Sequence, residues 1–255
     1  MINFFRRIRR KLADDNKPLK YFRYAIGEIV LVVLGILIAL QINNWNEERK
    51  SKILGNNYTK LVYKDLQNDI FKIEGILKIL HNQYEAGIEV LTIIDAEKPG
   101  TYDTIRLNNN INWVLTTGVF TERGENTWDG LKISGDQAII RNDSLTVLLN
   151  AFYSHFDRLI ENFNELPKKA RLELREVSSQ CHNKENLQGY YENGLENYTA
   201  NRDELDCILR IKDLSNMVRS VTISSIANLE NFKYLNNEGK SVISYLDENL
   251  YGIIH

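Results

Sequence analysis

Ile29, Val30, Leu31, Val32, Val33, Leu34, Gly35, Ile36, Leu37, Ile38, Ala39 and Leu40 form an unbroken apolar run. It lies inside a longer stretch, Tyr24 to Trp45, whose one charged residue is Glu28. The run alone is too short to cross a bilayer. The whole stretch, as a helix rising about 1.5 Å per residue, reaches about 33 Å, enough for a hydrocarbon core. Tyr24 and Trp45 stand where interfacial aromatic anchors belong. Residues 24–45 are therefore expected to form a transmembrane helix. A cleaved signal peptide would need small residues after the apolar run. The sequence Ala39-Leu40-Gln41-Ile42-Asn43-Asn44 fits that poorly, so the helix is expected to remain as an anchor.

The flanks give the orientation. Residues 1–23 hold eight basic residues (Arg6, Arg7, Arg9, Arg10, Lys11, Lys17, Lys20 and Arg23) against Asp14 and Asp15. The far flank mixes Arg49, Lys50 and Lys52 with Glu47 and Glu48. By the positive-inside rule the N-terminus is cytoplasmic, and residues 46–255 lie outside the cytoplasm. Ile2, Phe5, Ile8 and Leu12 recur at helical spacing beside Arg6, Arg7, Arg9, Arg10 and Lys11. A basic amphipathic segment of this kind lies on an anionic leaflet; a flexible basic tail is the alternative.

Past the membrane the periodicity is helical. Tyr58, Val62, Leu66, Ile70, Ile73, Leu77, Leu80, Tyr84, Ile88 and Leu91 make one apolar stripe, with a soft point expected at Gly55-Asn56-Asn57 and an end at Lys98-Pro99-Gly100. Residues 97–125 read as irregular before and around a short apolar run at 111–119. Asn126 followed by Asp129 reads as a helix start, and Gly135 as its stop. A second stripe runs from Leu145 through Phe152, Phe156 and Leu159 to Leu174 and Val177, capped by Asn142 or Asp143, with Pro167 expected to kink or split it. Residues 182–203 read as a polar loop and 204–211 as a short helix. A third stripe, Leu214 to Leu250, is weakened by Ser225 and Gly239. The expected fold is all-α: one N-terminal transmembrane helix followed by an extracytoplasmic antiparallel helical bundle.

The stretch Phe4-Phe5-Arg6-Arg7-Ile8-Arg9, with Tyr24-Ala25-Ile26-Gly27-Glu28 through Gln41-Ile42-Asn43-Asn44-Trp45-Asn46, resembles the N-terminal signature of a single-pass inner-membrane protein family of Bacteroidota-type bacteria. Thr127-Trp128-Asp129-Gly130-Leu131 to Ser134-Gly135, followed by Asn142 and a long helix, resembles that family's outer domain. The resemblance implies an inner-membrane protein with a periplasmic helical domain. It supplies no activity and no catalytic residues.

Chemistry is sparse. The 255 residues carry 32 Lys and Arg against 34 Asp and Glu, a net charge of -2 that gives no bias toward nucleic acid. No phosphate loop, zinc-helix motif, nucleophile elbow or dinucleotide fingerprint occurs. No cofactor, metal or catalytic residue is expected. Cys181 and Cys207 are expected to form a disulfide in an oxidising compartment; free thiols are the alternative, and a soft-metal site with His182 a third and weaker reading. Trp113, Phe120 and Trp128 are expected to fill core under a loop. Gly27, Leu31, Gly35 and Ala39 fall four apart on one helix face, where small residues allow close helix packing, and the intramembrane carboxylate Glu28 lies beside them. The chain is thus expected to be a non-enzymatic membrane-anchored interaction or scaffold protein, assembling with itself or another membrane protein. The alternative is a small-molecule sensory or transport-accessory domain, or an ion-driven stator-like subunit using Glu28.

Overall fold

The computed structural model describes the backbone of residues 18–96, 102–115, 126–193 and 200–254. Within these, the side chains of residues 18–21, 24, 163–168, 190, 193, 251 and 254 stay outside the description. Among the described residues every regular element is helical: α1 (Pro18–Ile94), α2 (Thr104–Leu115), α3 (Thr127–Ser134), α4 (Asp143–Ser178), α5 (Lys184–Asn193), α6 (Arg202–Leu209) and α7 (Leu214–Ile254), with 3-10 turns at Gln137–Ile140 and Ser179–Cys181. The chain divides into two compact units, Met1–Gly55 and Asn56–His255, and α1 belongs to both.

In the first unit the apolar run is one helix with its side chains outward. Ile29, Leu31 and Leu37 are all more than half exposed, and none of the most apolar window, mean hydropathy 2.6, is buried. Leaving aliphatic side chains in water forgoes about 1.5–3 kcal/mol each. This is the one helix among the described residues long and apolar enough to cross a membrane.

In the second unit, hydrogen bonds fix the directions of the long helices. Near one end Tyr63 donates to Asp247 (3.0 Å) and Tyr245 to Asn142 (3.2 Å). Further along, Arg171 donates to Gln83 (2.7 Å) and Ser225 (3.3 Å). Beyond that, Arg219 meets Asp95 at 3.2 Å. Residue numbers rise together on α1 and α4 and fall on α7. Helix α7 is therefore antiparallel to both, while α1 and α4 run the same way because the segment between them carries the chain back.

Two hydrophobic cores lie along these helices. The first joins Val62, Leu66, Ile73 and Leu80 of α1 and Trp128 of α3 to Leu145, Phe152 and Phe156 of α4 and Phe232, Leu235 and Leu246 of α7. The second joins Ala86 and Val90, Leu107 and Ile111 of α2, Leu174, Leu205 and Ile208 of α6, and Val218 and Val221. Close helix approach requires glycine at one level. A Cβ on Gly87 would fall inside the Thr222 hydroxyl and within 3.1 Å of Thr222 Cβ. Gly239, which interrupts the third apolar stripe, is such a contact too: its Cβ would lie 2.9 Å from the Phe152 ring.

Asn side chains start several helices. Asn126 accepts the Asp129 N–H (2.9 Å), Asn142 the Leu145 N–H (2.8 Å) and Asn201 the Glu204 N–H (2.8 Å). Each such cap contributes about 1 kcal/mol. Gly135, at φ 77, ends α3 in the left-handed region.

Several elements differ from the sequence expectations. Residues 104–115, read as largely irregular, are helix α2; Asn108, an indifferent helix former, is buried there and accepts the Ala200 N–H (3.2 Å). Tertiary contact overrides local propensity. Part of the expected loop at 182–203 is helix α5, whose polar composition hides it from a periodicity search. Helix α1 passes through Gly55-Asn56-Asn57 without a break, and α4 is one helix through Pro167.

Candidate functional site

The face proposed for membrane-helix packing lies on the first unit. Gly27, Leu31, Gly35 and Ala39 follow one another at four-residue spacing along α1, and a Cβ on Gly27 or Gly35 would meet nothing within 4 Å. The face is open on this chain. Glu28, next to it, is half-buried. Arg6, Arg7, Arg9, Arg10 and Lys11 lie outside the described residues.

Between the two cores of the second unit runs a polar layer. Arg171 is 1% exposed and Gln83 and Ser225 are fully buried. Arg171 Nη2 donates to Gln83 Oε1 and to Ser225 Oγ, and Ser225 Oγ also bonds Gln83 Oε1 (3.3 Å) and the Val221 carbonyl (3.0 Å). Burial pulls the guanidinium down to about 10, so it stays charged at neutral pH. One residue from each long helix meets here. Ser225 was legible as a weak point in the third stripe. Gln83 and Arg171 fall beside Tyr84 and Ala170 and escape notice until the helices are placed.

Toward the end of α1, the bundle is cross-braced. Cys181, in the turn after α4, is bonded to Cys207 of α6, 26 positions further along the sequence, with Cα atoms 5.6 Å apart. Beside the bridge, His182 Nδ1 lies 2.5 Å from Glu204 Oε1, whose carboxylate is fully buried. Tyr102 donates to Asp206 (2.5 Å), and Arg202 covers its ring at 5.3 Å. Burial first, and then the Asp206 hydrogen bond, push the Tyr102 phenol up to about 12. Glu89 of α1 accepts from Arg106 Nε (2.8 Å), from a second Arg106 nitrogen, and from Asn110 (2.5 Å). These donors hold Glu89 down at about 2. At the level of the first core, His155 Nδ1 lies 2.5 Å from Glu238 Oε2, under the Tyr234 ring at 5.5 Å.

The aromatic group expected under one loop is divided. Trp128 is fully buried in the first core, Trp113 is half-buried against the second, and Phe120 lies outside the described residues. They are separate because α2 and α3 pack at different levels of the bundle. The Cys181–Cys207 bridge is as expected from the sequence; the other brace residues are not legible there, since each is an isolated polar side chain whose partner lies on another element. Among the described residues, no group of three or more His, Cys, Asp or Glu is placed to hold a metal ion. Chemically, the arrangement ties helices together: the carboxylates of Glu89, Glu204, Asp206 and Glu238 all accept from side chains of other elements.

Residues 28–189 match a family of unknown function, DUF6090, and the chain belongs to that family. The match opens at Glu28, just before the apolar run, and closes within α5. No curated protein and no solved structure matches the chain.

Proposed function

We propose that this DUF6090 chain is a membrane-anchored interaction protein, non-enzymatic, whose helical domain binds another protein or a second copy of itself. In this reading α1 crosses the bacterial inner membrane once over residues 24–45, with the N-terminus in the cytoplasm and residues 46–255 in the periplasm. The observation that carries it is the double use of α1. One helix supplies both the outward apolar run and the Val62–Val90 side of the two cores. Arg6, Arg7, Arg9, Arg10 and Lys11 would grip the anionic leaflet. Gly27, Leu31, Gly35 and Ala39 would pack against a partner helix, with Glu28 hydrogen-bonding beside the contact.

A second reading, an ion-driven subunit, is favoured by the carboxylate of Glu28 alone. A charge at the centre of a membrane helix costs about 2.5–3.5 kcal/mol and less near the interface, where Glu28 would lie one turn inside the span, and intramembrane carboxylates are functional candidates by default.

Reporter fusions after residue 60 test the topology: a periplasmic reporter should be active there and a cytoplasmic one silent. Cross-linking in membranes, with recovery of the complex in mild detergent, tests assembly. Gly35→Leu should abolish the cross-linked species, and an unchanged ladder rejects the packing face. Preserved assembly and phenotype in Glu28→Gln would remove the ion-driven reading.

A further inference from the structure

The second unit contains an open cavity of about 330 Å³ where the last turns of α1 meet the start of α2. Glu89, Thr92 and Ile93 line one wall, and Tyr102, Asp103 and Arg106 the other. Ligand cavities begin at about 300 Å³, so this one fits a molecule of amino-acid size.

Its polar groups are fixed before any ligand arrives. Glu89 takes Nε and Nη2 of Arg106 and the amide of Asn110. A guanidinium has five N–H donors in a rigid fork, and gripping it along that edge leaves Nη1 turned outward. The Arg106 side chain is 69% exposed, as that placement requires. Asp103 Oδ1 accepts the Arg106 N–H (3.0 Å) and starts α2, and its charge favours the Arg106 cation. Tyr102 is neutral and committed to Asp206, so its ring and Ile93 make an apolar wall.

The charges do not cancel. Of the charged groups that line the cavity, Glu89 and Asp103 are acidic and Arg106 basic, and with Glu89 matched by Arg106 the surplus carboxylate of the lining is Asp103. The same cavity therefore offers an outward guanidinium edge to a carboxylate and a surplus carboxylate to an ammonium, from residues that line the same wall. A simple anion would meet Asp103, and a simple cation would meet Arg106. A molecule carrying both charges on neighbouring atoms meets neither penalty.

We propose that this cavity binds a free α-amino acid as its zwitterion, with Arg106 holding the carboxylate, Asp103 the ammonium, and Tyr102 and Ile93 against the side chain. The proposal does not depend on the interaction role above, and either can fail alone.

The test uses the full chain in mild detergent, titrated with each common L-amino acid and followed by thermal unfolding and calorimetry. At least one amino acid should raise Tm saturably, by about 3 °C at tenfold excess over its Kd. Its N-acetyl and carboxamide derivatives, each lacking one charge, should fail to do so. Asp103→Asn keeps the helix-starting oxygen but removes the charge, and should weaken binding about tenfold or more. Arg106→Gln should weaken it as much, and if that variant unfolds, Asp103→Asn decides. The proposal is overturned if no amino acid shifts Tm at about 10 mM, a concentration that would reveal millimolar sites. It is also overturned if either derivative binds as tightly as the parent amino acid, or if Asp103→Asn binds like the unaltered protein.

Discussion

Gly87 is a point of close approach between α1 and α7, and adding one methyl group there tests how the bundle closes. In an isolated helix, Gly→Ala stabilises by about 0.8–1 kcal/mol. Here the new Cβ would fall inside the Thr222 hydroxyl oxygen, 3.1 Å from Thr222 Cβ and 3.2 Å from Thr222 Cγ2. Thr222 is 4% exposed and its hydroxyl donates to the Val218 carbonyl at 2.8 Å. Rotating that side chain away breaks the bond inside the core, and keeping it forces the two helices apart. Overpacking of this kind costs about 1–3 kcal/mol. Gly87→Ala is therefore expected to destabilise by about 1–2 kcal/mol after the propensity gain is set against the clash. Thr222→Ala alone removes a partly satisfied buried side chain and should cost about 1 kcal/mol. In the double variant the hydroxyl and Cγ2 are gone and one tight Cβ contact remains, so the second change should restore most of the stability lost to the first. The double-mutant cycle should give a favourable coupling of about 1–2 kcal/mol, measured by urea unfolding of the detergent-solubilised chain. If Gly87→Ala is as stable as the unaltered protein, or the two changes simply add, the helices do not meet at this level.

Removing the Cys181–Cys207 bridge, by reduction or by Cys→Ser at both positions, should lower stability by about 3.5 kcal/mol in the chain-entropy account, read from the urea midpoint. Gln83→Leu deprives the buried Arg171 of its 2.7 Å acceptor and should cost about 1–3 kcal/mol, whereas Leu at a neighbouring exposed position should change unfolding little. Glu89 has a folded pKa near 2, below its ordinary 4.5, so its contribution is complete above pH 4.5 and disappears as pH falls toward 2. The stability difference between Glu89→Gln and the unaltered protein should shrink across that window, and a difference that persists at pH 2 would show that the Arg106 and Asn110 bonds do not depend on the charge.

How much of this was legible in the sequence depended on whether the cause was local. The apolar run at 29–40 and the stripes through Val62, Phe152 and Phe232 are read from one segment at a time, and they are helices. The helix from Asn126 to Gly135 was equally clear, because its start and stop are set by an Asn side chain and a glycine φ within the segment. Helix α2 was obscured because Asn108, Asn109 and Asn110 are weak formers, and what holds them is Ala200 and Glu89, from elsewhere in the chain. The parallel course of α1 and α4 was invisible for the same reason: periodicity gives a helix a face but not a direction. Of the candidate sites, the Gly27–Leu31–Gly35–Ala39 stripe and both cysteines were visible as residue types at a spacing. The Gln83–Arg171–Ser225 layer exists only once three separated segments converge, and the Glu89–Arg106 pair only once two do.

Helix α7 is the last element in the chain, yet it enters both cores, and that sets an order of assembly for a chain that emerges from its N-terminus. The second core needs α7 only as far as Val221, whereas the first needs it as far as Leu246. The Val62–Leu80 segment of α1 emerges earliest of all the core-forming segments and is the last to be covered. During synthesis it waits, apolar face outward, for nearly the whole remainder of the protein. A chain cut after α6 would leave both cores open, and one cut near residue 225 would close the later-made core while leaving the earlier-made one without its lid.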